Sequence, residues 1–161
     1  MGIIRKPSTD GLNTNVKTTT SVFLAGSIEM GKAEDWQNDI INRLIGIDEL
    51  EIYNPRRDNW DSSWKQEESN PQFNSQVNWE LNHLERADII FLNFCSGTQS
   101  PITLMELGLY ADSRKLIVVC PKDFWRRGNV EILCTRYNIP LFDNITDGFG
   151  ALRTKIWQRS Y

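Results

Sequence analysis

The alternation of short apolar runs with longer stretches of helical spacing is the sequence feature that most constrains how this chain can fold. Each run is short enough to be a buried strand, and turn-forming glycine, asparagine or proline follows several of them. Strands that alternate with helices predict a single α/β domain, with a doubly wound, flavodoxin-like parallel sheet of five strands flanked by helices. The predicted strands are residues 21–26, 50–53, 87–94, 115–121 and 139–142, and the predicted helices are 34–45, 74–86, 101–111, 127–138 and 148–157.

The polar start and the charge balance limit the kind of protein that this can be. Residues 1–20 show no sustained apolar period and are predicted to form a flexible tail, which leaves residues 21–161 as the folded domain. A net charge of −3 argues against a nucleic-acid polymer or a membrane surface as partner and leaves free nucleotides possible. No apolar stretch is long enough for a membrane helix. Three widely spaced cysteines and one histidine indicate reduced thiols in a cytoplasmic protein and argue against a zinc site.

Polar residues follow several neighbouring strands of the predicted sheet. In doubly wound sheets, ligands bind beyond the carboxyl ends of the strands, near the point where strand order reverses, so we expect these residues to converge there. Two of them are arginines, which either hold a phosphate or carboxylate by charge-assisted hydrogen bonds or pair with the aspartates of their own solvated loop. The residues expected at this edge are Gly26, Ser27, Asn54, Arg56, Arg57 and Ser100.

One carboxylate, Glu106, lies in an otherwise apolar predicted helix. Ser100 suits the N-cap of this helix and Pro101 its first position. Apolar residues cover most of the circumference, so the helix is predicted to be buried and Glu106 with it. A buried carboxylate is a functional candidate, and the alternative is a structural ion pair with an arginine or lysine. Gly108 weakens a helix by about 1 kcal/mol relative to alanine, which suggests a close approach to the backbone there.

Several short motifs together resemble the nucleoside 2-deoxyribosyltransferase family over residues 21–145. The resemblance implies the same doubly wound fold, a nucleophile at Glu106 and an assisting carboxylate at Glu80. It implies a small nucleoside or nucleotide substrate and a covalent glycosyl-enzyme, with no metal or cofactor. It also implies a homo-oligomer in which a neighbour completes each site, with Asn129 as the matching candidate. The motifs are residues 24–28, 54–57, 79–80, 100–101 and 105–108.

Departures from the family pattern leave the substrate open. Transferases of the family usually carry an aspartate at the position of Ser100, where it binds the sugar 5′-hydroxyl, whereas related deoxynucleoside 5′-monophosphate N-glycosidases carry a serine that contacts the phosphate. Phe23 stands where a tyrosine is frequent, and the assisting acid is Glu80 rather than an aspartate. The first hypothesis is a deoxyribosyltransferase, the alternative is a 5′-monophosphate N-glycosidase, and a non-catalytic nucleotide-binding module is the third. Participation of His83 and Tyr161 stays open.

Overall fold

A parallel sheet of six strands forms the centre of the fold in the computed structural model, which describes residues 1–7, 20–58 and 61–160. The spatial order is β1-β3-β2-β4-β5-β6, and apart from β1 this is the flavodoxin-like order that the sequence predicts. The strands are β1 (Ile3–Arg5), β2 (Thr20–Gly26), β3 (Leu50–Tyr53), β4 (Ile89–Asn93), β5 (Leu116–Val119) and β6 (Leu141–Phe142).

The edge strand β1 corrects the predicted count of five strands. It pairs in parallel with β3, with Ile3 opposite Glu51, although the sequence places these residues in a tail. Three residues are too few to show an alternating period, so the pattern gave no signal for this strand. Residues 8–19 of the predicted tail lie outside the described residues.

Helices cover both faces of the sheet. Successive residues of a strand point to opposite faces, and Phe91 and Leu92 accordingly belong to two different buried clusters. Helices α1 and α5 contribute to the cluster of Phe91, and α2, α3 and α4 contribute to that of Leu92, which confirms the doubly wound architecture. The helices are α1 (Trp36–Leu44), α2 (Pro71–Arg86), α3 (Pro101–Tyr110), α4 (Arg127–Tyr137) and α5 (Ile145–Ser160). Within the described part of the chain, none of them is long and apolar enough to cross a membrane.

Helix α3 is only half buried, which corrects the prediction that it lies wholly inside. Ile102, Met105 and Leu109 form an exposed face, each with more than half of its surface accessible. A helix that lies on a sheet buries one side against the strands, here through Leu107, whatever the character of its other side. No other element of the described chain approaches Gly108, because nothing outside its own helix backbone and chain neighbours lies within 4 Å of where a Cβ would be.

Candidate active site

The strand order reverses between β2 and β4, and a glycine fixes the geometry there. Gly26 ends β2 with a φ of +148°, and a Cβ at this position would lie 2.2 Å from the carbonyl oxygen of Asn93 in β4. Only glycine fits this contact without a shift of the backbone. The next residue, Ser27, donates its backbone N–H to the same carbonyl oxygen at 2.9 Å. The loop after β2 is therefore held against the loop that leads from β4 into α3.

A cavity of about 490 Å³ opens at this point, between the end of β2 and helices α2 and α3. This volume lies within the range of small-molecule sites. Both carboxylates that the sequence singled out, Glu80 and Glu106, line the cavity, and Gly26, Arg57 and Ser100 line it too. The structure thus brings together five of the nine predicted site residues in one pocket. Its other lining residues include Phe23, Glu29, Phe73, Gln76 and Thr103.

Glu106 projects from the second turn of α3 and is 7% exposed. Among the described residues, no lysine or arginine forms an ion pair with its carboxylate and no group donates a hydrogen bond to it. Burial raises the pKa of Glu106 to about 8, and the nearby charge of Glu80 acts in the same direction. The alternative, a structural ion pair of Glu106 with an arginine or lysine, is therefore not found among the described residues.

Glu80 lies on α2 and accepts a hydrogen bond from the side chain of Gln76, with Nε2 and Oε1 2.6 Å apart. Burial raises the pKa of Glu80 to about 7, although the Gln76 hydrogen bond and the charge of Arg57 oppose this rise. Because the pKa of both carboxyls is raised into the neutral range, the pair can hold one proton between them near pH 7. One group is then available as a nucleophile and the other as an acid.

The two adjacent arginines have different surroundings. Arg56 donates to the backbone carbonyl oxygens of Gly31, Ala33 and Glu34, so its guanidinium braces the loop before α1 and does not line the cavity. Arg57 lines the cavity, its guanidinium lies 5.1 Å from the centre of the Trp64 ring, and its buried Nε has no hydrogen-bond partner among the described residues. The structure therefore brings only one of the two predicted anion ligands to the pocket.

Two predicted asparagines lie outside the pocket. Asn54 is buried, and its side-chain oxygen accepts a hydrogen bond from the backbone N–H of Arg56 at 3.0 Å, which shapes the turn after β3. Asn129 is exposed on α4 and does not line the cavity of its own chain. His83 also lies outside, where its ring stacks on Trp79 with ring centres 4.0 Å apart. Tyr161 is outside the described residues.

Three hydroxyl groups cluster at the start of α3. Ser27 Oγ lies 2.6 Å from Ser100 Oγ and 2.9 Å from Thr98 Oγ1. Ser100 is the N-cap residue, as predicted, but its φ is +48° and its hydroxyl makes no capping hydrogen bond. Its backbone N–H instead donates to the carboxylate of Glu29 at 2.8 Å. Sequence reasoning missed Glu29, and the one signal for it was an acidic side chain in the loop directly after a strand end.

The described side chains contain no group of three or more His, Cys, Asp or Glu residues that could hold a metal ion. Of two neighbouring carboxyl groups, the ionised one can attack an electrophilic carbon and the protonated one can protonate a leaving group.

Comparisons with known proteins bear on the family and the fold. A family model described as nucleoside 2-deoxyribosyltransferase like matches residues 19–124, a span that contains both carboxylates. A solved structure, the crystal structure of a conserved protein from Enterococcus faecalis V583, superposes with a TM-score of 0.63. That match covers 86% of this chain and 99% of the other at 9% identity, so it supports the fold alone. A search of curated proteins found no match.

Proposed function

The chain belongs to the nucleoside 2-deoxyribosyltransferase-like family, and from this premise we propose that it is an enzyme that cleaves the N-glycosidic bond of 2′-deoxynucleosides and passes the sugar to another base. The single observation that carries the proposal is the environment of Glu106. Its carboxylate is buried beside a cavity, and no hydrogen bond or ion pair from the described residues compensates for that burial. Such a carboxylate lowers stability, which indicates a catalytic use.

In the proposed first step, Glu106 Oε attacks C1′ of the deoxyribose. The bond between C1′ and the base nitrogen breaks, its electron pair goes to that nitrogen, and a glycosyl ester with Glu106 forms. Glu80 gives its proton to the leaving base, for which a pKa of about 7 is well suited at neutral pH. Attack requires the form of the pair in which the shared proton lies on Glu80 and Glu106 is ionised.

In the second step, a nitrogen of an acceptor base attacks C1′ from the opposite side. The ester bond to Glu106 breaks and its carboxylate is regenerated, while Glu80 takes up the proton that the acceptor loses. Two displacements at C1′ retain the configuration of the sugar. We therefore predict that the carboxyl groups of Glu80 and Glu106 lie roughly 5–5.5 Å apart, the separation typical of retaining enzymes. A hydrolase would differ only in that water replaces the acceptor base.

Base exchange tests this proposal. The protein is incubated with a deoxynucleoside and a different free base, and the products are separated by chromatography. We expect a new deoxynucleoside, and we expect Glu106→Gln to abolish it, since an amide does not attack C1′. Glu85→Gln is the matched control, because Glu85 is an exposed carboxylate on α2 that does not line the cavity. Release of base without a new nucleoside would favour the hydrolase, and full activity in the Glu106 variant would refute the nucleophile.

We also propose that the chain works as a homo-oligomer in the cytoplasm. Ile102 and Met105 both line the cavity and are more than half exposed, so the wall of the pocket continues onto an apolar surface that a second copy would cover. The exposed position of Asn129 fits contribution to a neighbour's pocket. All three cysteines are free and buried, which suits a reducing compartment. Light scattering after size-exclusion chromatography measures the assembly, and a monomer at micromolar concentration would contradict it.

A further inference from the structure

The carboxylate of Glu29 lies at the N-terminal end of α3, in the same cavity as Glu106. Its Oε1 accepts a hydrogen bond from the backbone N–H of Ser100 at 2.8 Å. The N-terminus of a helix favours a negative charge, because its first N–H groups are unpaired and the helix dipole is positive there. In this protein a side chain of the chain itself supplies that charge, from the loop after β2.

The neighbouring hydroxyl groups are already committed to one another. Ser27 Oγ accepts from the backbone N–H of Cys95 at 2.9 Å, and Thr98 Oγ1 donates to the carbonyl oxygen of Cys95 at 2.8 Å. Ser100 Oγ lies 2.6 Å from Ser27 Oγ and 2.8 Å from Thr98 Oγ1. Each of the three hydroxyl protons therefore has a protein acceptor within reach. A phosphate would have to break this network and also displace Glu29.

The contact between Glu29 and Ser100 joins two residues in a rarely adopted backbone conformation. Both have a φ of +48°, and neither is glycine. A left-handed conformation at such residues costs on the order of 1–3 kcal/mol and persists where the surrounding structure enforces it, often next to a ligand. The loop thus holds the Glu29 carboxylate in place against a local cost.

The spacing of Ser100 and Glu106 along α3 leaves room for a sugar between Glu29 and Glu106. Ser100 precedes Glu106 by six residues, which is about 9 Å along a helix axis. The side chain of a helical residue leans towards the helix N-terminus, so the Glu106 carboxylate is closer to Ser100 than that rise implies. A deoxyribose with C1′ at Glu106 can therefore extend its 5′ carbon towards Ser100 and Glu29.

We propose that Glu29 restricts this site to unphosphorylated deoxynucleosides, because its carboxylate accepts a hydrogen bond from the 5′-hydroxyl and repels a 5′-phosphate. Ser100 alone left the monophosphate open as a substrate, because a serine carries no negative charge. Glu29 supplies the missing charge from a different part of the chain. This assignment rests on the proposed function, since it takes the sugar to lie between Glu106 and the start of α3.

The test compares one deoxynucleoside with its 5′-monophosphate. In the wild type, kcat/KM for base exchange should favour the deoxynucleoside at least tenfold, because like charges in contact are strongly unfavourable. In Glu29→Gln this ratio should fall at least tenfold, chiefly through a gain with the monophosphate, since the amide oxygen can still accept from Ser100. Glu34→Gln is the matched control: it removes an exposed carboxylate of the same loop that does not line this cavity, and the ratio should stay unchanged.

Two results would overturn the assignment. One is a wild type that uses the monophosphate as well as the deoxynucleoside. The other is a Glu29 variant that loses both activities in parallel and melts at a lower temperature, which would mean that Glu29 only caps α3. Titration calorimetry with Glu106→Gln measures the two affinities without turnover, and the same preference is expected there. An absence of any cleavage would refute the proposed function, while the affinity ratio would still decide the role of Glu29.

Discussion

Replacing Glu106 with glutamine should stabilise the folded chain at alkaline pH and leave its stability nearly unchanged at pH 5. An ordinary glutamate has a pKa of 4.5, and burial raises that of Glu106 to about 8. Above pH 4.5 the unfolded chain loses this proton while the folded chain keeps it, so the free energy of unfolding falls as pH rises, until the folded group also ionises near pH 8. Glutamine has the same shape and no proton to lose, so the variant lacks this decline.

The size of the effect follows from the two pKa values. Each pKa unit corresponds to about 1.4 kcal/mol, so the wild type should lose up to about 4 kcal/mol between pH 5 and pH 9 through Glu106. Water entry and local relaxation reduce this figure, and we expect the variant to gain at least about 2 kcal/mol over the wild type at pH 9. For a domain of this size, that gain raises Tm by roughly 4–8 °C.

Urea unfolding of both proteins at pH 5 and pH 9 measures the effect. The quantity of interest is the difference between variant and wild type at each pH, because contributions common to both proteins cancel. Glu85→Gln is again the control, since an exposed carboxylate should give the same small difference at both pH values. A Glu106 variant with equal effects at pH 5 and pH 9 would show that the carboxyl titrates normally and is not buried as described.

Three further predictions concern other parts of the site. The kcat/KM of the wild type should decline as pH falls through the neutral range. Glu80→Gln should move this decline to lower pH, because the charge of Glu80 raises the pKa of Glu106. An unmoved pH profile would argue against contact between the two carboxyls. Gly26→Ala should destabilise the protein by about 3 kcal/mol or more in urea unfolding, whereas Gly108→Ala should be neutral or stabilising by up to about 1 kcal/mol. Asn129→Ala should lower the rate of base exchange without lowering Tm. If neighbouring subunits share a site, mixing this variant with Glu106→Gln should restore activity. Inactive mixtures would contradict a site shared between subunits.

The elements that could be predicted from sequence were those fixed by local pattern. Glu106 stands out because every neighbour in its helix turn is apolar, and the structure does bury it. The burial of α3 was overestimated for the same reason, since an apolar composition does not say which side of a helix the sheet will cover. Whether Ile102 and Met105 contact the core or solvent depends on how α3 is rotated against the sheet, and that rotation comes from packing rather than from local sequence.

Contacts between distant residues were not predictable from any local pattern. Glu29 and Ser100 are 71 positions apart and meet only because β2 and β4 are adjacent strands. The two arginines after β3 show the same limit at short range: sequence indicates that both lie near the strand end, but only the path of the chain after Tyr53 decides that Arg57 faces the cavity and Arg56 the loop.

Two kinds of unfavourable feature meet at one cavity, and their meeting there is an argument for function. Asn54, at the end of the neighbouring strand, forms an ordinary turn whose polar atoms are bonded, as a purely structural loop requires. Around the cavity, by contrast, the chain brings together two carboxyl groups with raised pKa, Glu80 and Glu106. Two residues in left-handed conformation, Glu29 and Ser100, line the same cavity. Selection for stability alone would remove such features, because single substitutions relieve each of them. Their joint presence around one cavity is better explained by a reaction that needs a nucleophile, an acid and a group that recognises the far end of the sugar.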